Sequence, residues 1–111
     1  VGDTVYVAGL TARDNALRPT GGDEYEQSRA IFRRMASLLA AAGGSLRDVV
    51  KLNVYLTDIT KREGVWRARR EFFSGVFPVA TLVEVSALAQ REIHVEIEAV
   101  AVLNQCGRPT L

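Results

Sequence analysis

The residues best suited to chemistry stand at alternate positions of one short stretch: His94, Glu96 and Glu98. A period of two is that of a β-strand, so these side chains share one face, which Val100 and Val102 continue. Ile93, Val95, Ile97, Ala99 and Ala101 make the opposite face an unbroken apolar row suited to a core. Two aligned carboxylates beside an imidazole could orient water or move protons. The wet face of any sheet shows the same pattern, however, and Glu98 is expected to pair with a neighbouring cation. A lone histidine at a strand start is more often structural than catalytic.

A second concentration of charge lies at Lys61, Arg62, Arg67, Arg69 and Arg70, opposed only by Glu63. It could be a nucleic-acid patch or the solvated face of a helix. Lysine plus arginine number 14 against 13 aspartates and glutamates, a net charge of +1. That balance lacks the electrostatic footprint of a dedicated nucleic-acid binder. Trp66 is the one aromatic residue interleaved with the cations, so base stacking has little to work with. A solvated helix face is the expectation, with RNA binding or cleavage as the alternative.

Other chemistries lack their parts. One cysteine, Cys106, cannot form an internal disulfide or a Cys-rich zinc site, and nothing near it would activate its thiol. One histidine argues against a catalytic zinc centre, and no glycine-rich phosphate cradle is present. No metal or organic cofactor is expected. Apolar runs such as residues 38–42 are far shorter than the ~20 residues of a membrane span, and residues 1–3 carry no signal-like stretch. A cytoplasmic protein is the expectation. With 111 residues, 48% of them hydrophobic, the chain reads as a single domain over residues 1–111.

The elements that must position these groups follow from local patterns. Residues 4–9 (TVYVAG) read as a β-branched and aromatic strand. Residues 11–22 form a turn-rich connection with room for a short edge strand. Asp23 is placed to cap a helix in which Ala30, Ile31, Met35, Leu38, Leu39 and Ala42 recur at helical spacing, ended by Gly43-Gly44. Ser45 caps a short turn, and Val50, Leu52, Val54 and Leu56 alternate with polar residues as a second strand. Thr60 and Glu63 read as a capping box for a second helix with a thinner stripe at Val65, Ala68 or Arg69, and Phe72-Phe73. Strands over 80–85 and 93–103 complete the chain.

The order β-(β)-α-β-α-β-β predicts an α+β fold, one sheet with both helices on one face. The opposite face would then be open, yet it carries Val100 and Val102. Self-association would cover it.

Taken together, GDTVYVAG at 2–9, AAGGSLRDVVKLNVYLTDI at 41–59, EFF at 71–73, FPVATLVEV at 77–85 and HVEIEAVAV at 94–102 resemble the RidA/YjgF family. The resemblance implies a chorismate-mutase-like fold with a mixed sheet, assembled as a homotrimeric barrel with clefts between subunits. It also implies hydrolysis of reactive enamines and imines to 2-keto acids and ammonia. In that family a glutamate of the V-E-I-E segment positions water, and backbone near the first strand's glycine helps bind the substrate; these positions are Glu96 and Gly9.

Two family positions differ. The arginine that forks onto the substrate carboxylate is replaced by Ala80, and an asparagine of the second helix by Trp66. An aromatic residue of active members falls upstream of Val1, outside this sequence, and the 87–96 loop is one residue longer than the common pattern. Losing a bidentate guanidinium–carboxylate pair weakens binding by about two orders of magnitude. The usual small 2-imino acid is therefore not the expected substrate. Trp66 could stack on a planar ligand or pack between subunits. Arg91, in the lengthened loop, could replace the lost anchor, and Thr81 could offer a hydroxyl. The expectation is a RidA-like trimer acting on a small metabolite, with a non-catalytic binding or chaperone-like trimer as the alternative.

Overall fold

The computed structural model describes residues 2–103; Cys106 lies outside them. Four strands, β1 (Thr4–Leu10), β2 (Val49–Leu56), β3 (Val79–Glu84) and β4 (Val95–Val102), form one sheet in the order β1-β4-β2-β3. β4 runs antiparallel to both β1 and β2, whereas β2 and β3 are parallel, so the sheet is mixed. Helix α1 (Glu24–Ala41) joins β1 to β2, and α2 (Arg62–Phe72) provides the crossover between β2 and β3. The optional extra strand in the first connection is only an isolated bridge between Arg13 and Pro19.

The ends of α1 follow the sequence closely. Asp23 accepts the Glu26 backbone N–H at 2.8 Å, and Glu26 accepts that of Asp23 at 3.3 Å, a reciprocal cap. At the other end Gly43, with φ +89°, takes the left-handed conformation. The Gly44 N–H then reaches the Leu39 carbonyl and the Gly43 N–H that of Ala40, the Schellman arrangement.

The start of α2 differs from expectation. Asp58, not Thr60, is the capping side chain: it accepts the Thr60 N–H at 3.0 Å and begins a short 3₁₀ turn over Ile59–Lys61. Thr60 turns its own hydroxyl to the Asp58 carboxylate, and α2 begins at Arg62 without a side-chain cap. A carboxylate accepts more strongly than a hydroxyl, so the acid wins the competition.

Both helices pack on one face of the sheet. The core joins Ile31, Phe32, Met35 and Leu39 of α1 with Val65 and Ala68 of α2. From the sheet come Val7, Leu52, Val54, Leu56, Val95, Ile97, Ala99 and Ala101. The buried arc of α1 is rotated from the expected one. Phe32 is fully buried against Phe72 and Phe73, at ring separations of 5.7 and 5.3 Å, while Leu38 is 43% exposed. Because α1 packs on α2 as well as on the sheet, its apolar stripe turns toward both.

The other face is uncovered. Tyr6, Val79 and Val83 are exposed there, beside half-buried Val100 and Val102. Val50, expected in the buried row of β2, is exposed instead: the β2–β4 register shifts between Val49 and Lys51, and Val49 takes the buried place. Among the described residues no helix is long and apolar enough to cross a membrane.

Candidate functional site

The alternation read at residues 94–102 is present in β4: Val95, Ile97, Ala99 and Ala101 are buried, while Glu96, Glu98, Val100 and Val102 occupy the open face. In register, Glu96 lies opposite Tyr55 and Glu98 opposite Asn53. On the other flank the β1–β4 register shifts between Val7 and Leu10, and Gly9 falls inside this irregularity. A side chain at Gly9 would collide with Glu96: its Cβ would lie 2.8 Å from Cδ and 3.0 Å from Cγ. Glycine thus lets the Glu96 carboxylate lie flat against the β1 backbone.

Glu98 does not take a cation. Its Oε1 accepts from Asn53 Nδ2 at 2.9 Å and from the Tyr55 hydroxyl at 2.8 Å. That bond, reinforced by burial, pushes the Tyr55 phenol above its ordinary pKa. Two adjacent acids are therefore differentiated: Glu98 is held by two donors, and Glu96 rests against a glycine. The sequence reading overlooked Asn53 and Tyr55, although their spacing on β2 places both on the polar face.

His94 is positioned through its backbone. Its N–H donates to Gln27 Oε1 at 2.9 Å, while Gln27 Nε2 donates to the Gly22 and Glu92 carbonyls at 3.0 and 2.8 Å. Buried Gln27 thus ties α1 to the segment that leads into β4.

The remaining predicted residues fall on different sides of the sheet. Thr81 is exposed and pairs with Asn53, so it shares the open face with Glu96. Ala80 pairs with Leu52 and is half-buried on the helix side, where Trp66 and Leu82 also pack against the core. Arg91 is exposed in the loop before β4 and has no ion pair with Glu96. One chain therefore gathers Glu96, Gly9 and Thr81 on one face and Trp66 with Ala80 on the other.

The α2 cations are largely occupied within the chain. Arg70 pairs with Glu63, and the Arg67 guanidinium stacks 3.7 Å from the centre of the Tyr25 ring. Arg62 donates to the Ile59 carbonyl. Arg69 lies over two rings, 4.6 Å from Trp66 and 5.0 Å from Phe77.

The sequence profile described as Endoribonuclease L-PSP matches residues 1–103. The chain belongs to the RidA/YjgF family. This RidA-type chain is similar to a RutC family protein of Pyrococcus abyssi, at 35% identity over 102 residues, covering 91% of this chain and 80% of the relative. The 2-iminobutanoate/2-iminopropanoate deaminase of Homo sapiens is 31% identical over 100 residues, 89% of this chain and 72% of that protein. The crystal structure of RidA from the Antarctic bacterium Psychrobacter sp. matches with a TM-score of 0.87 at 34% identity, covering 93% of this chain and 83% of that one. The two helices and four-stranded mixed sheet are those of RidA/YjgF structures.

Proposed function

We propose that this RidA-type protein is a cytoplasmic homotrimer that hydrolyses a small enamine or imine in clefts between subunits. The observation that carries this reading is the Glu96 carboxylate laid against Gly9 on the open sheet face. Water adds to the protonated imine carbon while Glu96 takes one of its protons. That proton passes from Glu96 to the departing nitrogen. As the C–N bond breaks, Glu96 takes the remaining hydroxyl proton and hands it to the released ammonia, so a carbonyl compound and ammonium result and the carboxylate is regenerated. No oxidant or reductant is needed.

The trimer accounts for two observations at once. The open face carries exposed Tyr6, Val79 and Val83, which a second copy would cover. Thr81 and Ala80 lie on opposite sides of β3, and a cleft walled by two chains would join the Glu96 side to the Trp66 side.

Ala80 sets the substrate apart. Without the family's guanidinium, freshly generated 2-iminobutanoate should turn over slowly, and Ala80→Arg should raise that rate. Fast hydrolysis of 2-iminobutanoate by the unaltered protein would overturn the reading of Ala80. No gain from Ala80→Arg would favour a binding-only trimer, the second reading, which the replacement of the arginine by Ala80 and the asparagine by Trp66 supports. RNA recognition has less behind it, because Arg62, Arg67 and Arg70 have partners within the chain.

A further inference from the structure

Arg69 is the unusual cation of α2. It is half-buried, its guanidinium lies over the rings of both Trp66 and Phe77, and its Nε is buried with no hydrogen-bond partner. The carboxylates of α2 are already committed. Glu63 holds Arg70, and Glu71 receives Arg29 at 3.1 Å and the Tyr25 hydroxyl. Arg69 has no ion pair among the described residues. Loss of solvent, with a smaller contribution from Arg70, lowers its pKa from the usual arginine value.

A buried donor of this kind is normally satisfied, and leaving it unpaired disfavours the fold. Stacking on two rings fixes the plane of the fork and compensates part of that loss. Such a fork is prepared for a planar, two-oxygen anion. Its location is informative. Trp66 stands one helical turn before it, and Phe77 lies three residues before Ala80, where the family resemblance expects the carboxylate-binding arginine.

We infer that Arg69 is the anion anchor of this protein, gripping the carboxylate of a small ligand whose apolar body lies along Trp66. Charge recognition has moved from strand β3 to helix α2. Because this inference rests on the proposed imine-hydrolase reading for its choice of ligand, the favoured substrates are 2-imino or enamine carboxylates whose apolar side chains are larger than the ethyl group of 2-iminobutanoate, large enough to reach Trp66. The aromatic walls select them, and the displaced fork accounts for a site that has Ala80 in place of arginine.

Trp66 is the only tryptophan, so its fluorescence reports binding without any turnover. The probes are 4-methyl-2-oxopentanoate, a product-like carboxylate, and its neutral primary amide. The acid should change Trp66 emission saturably and the amide should not. Arg69→Gln should weaken the acid by about tenfold or more, and Arg69→Lys by less, since it keeps charge but not the fork. Equal binding of acid and amide, or unchanged affinity in both variants, would overturn the inference. If Arg69→Gln fails to fold, the acid–amide comparison and Arg69→Lys still decide.

Imine turnover measured in parallel separates the two ideas. Arg69-dependent binding without turnover keeps the anchor and removes the hydrolase. Turnover that is indifferent to Arg69 does the reverse.

Discussion

The Glu96 side chain occupies the space that a side chain at Gly9 would fill, with Cδ 2.8 Å from the position of that Cβ. Two residues far apart in the chain thus fix one carboxylate against one stretch of backbone.

Gly9→Ala should displace Glu96 and leave the fold nearly intact, because the obstructed group is the end of a flexible side chain. A loss of about tenfold or more in kcat/KM with little change in Tm is expected, since small misplacements of reacting groups are costly. Retention of full activity would separate Gly9 from the reaction.

Glu96→Gln preserves shape and removes the proton acceptor. Imine hydrolysis should fall by about two orders of magnitude or more, the usual contribution of a positioned base. Steady-state assays on matched amounts of folded protein test this, and an unaffected rate would exclude Glu96 as the base.

Tyr55 and Tyr25 should both lose their phenol protons late. Each is raised above the usual value of 10.0, first by a hydrogen bond to a carboxylate, Glu98 or Glu71, and then by burial. A raised value means that the folded state holds the proton more tightly. The stabilisation is then complete below pH 10.0 and is lost as the pH rises through the folded-state value. Denaturant midpoints should fall in that alkaline window, and Tyr55→Phe should shrink the fall. Phenolate absorbance during a pH titration gives the same answer independently.

Gln27→Ala leaves the Gly22 and Glu92 carbonyls and the His94 N–H without their partner and empties the buried place of the Gln27 side chain; Gly22 and Glu92 are exposed and His94 is half-buried. Destabilisation of about 2–3 kcal/mol is expected in chemical denaturation. Faster hydrogen exchange should be confined at first to residues 91–95, and uniform acceleration would refute a local tie.

Sedimentation equilibrium should return three times the 12.1 kDa chain mass. Placing a charge on the open face with Val79→Glu should yield monomers, because Val79 is 68% exposed in the isolated chain and would be covered in the assembly. A wild-type monomer would remove the two-chain cleft.

Most of the architecture was legible because it rests on local signals. Period-two apolar rows mark β4 and, from Leu52 onward, β2, where the irregularity at Val50 was not legible; Asp23 and Gly43-Gly44 bound α1. Competition and tertiary packing governed the departures. Asp58 and Thr60 both suit a cap, and only geometry shows the carboxylate taking the Thr60 N–H. Phe32 replaced Leu38 in the buried arc because α1 also meets Phe72 and Phe73, a contact no helical period encodes. Of the candidate site, strand alternation gave Glu96 its face, but the partners of Glu98 depend on cross-strand register. Arg69 was read only within a group of cations, since its two rings come from different segments.

Alternation along β3 sends neighbouring residues to different walls, Ala80 toward the helices and Thr81 away from them. On the proposed reading, ligand grip and proton transfer are thereby mounted on separate surfaces of one thin layer. A lineage can exchange the first while leaving the second untouched, so a repertoire of recognised molecules can diversify around an unaltered acid.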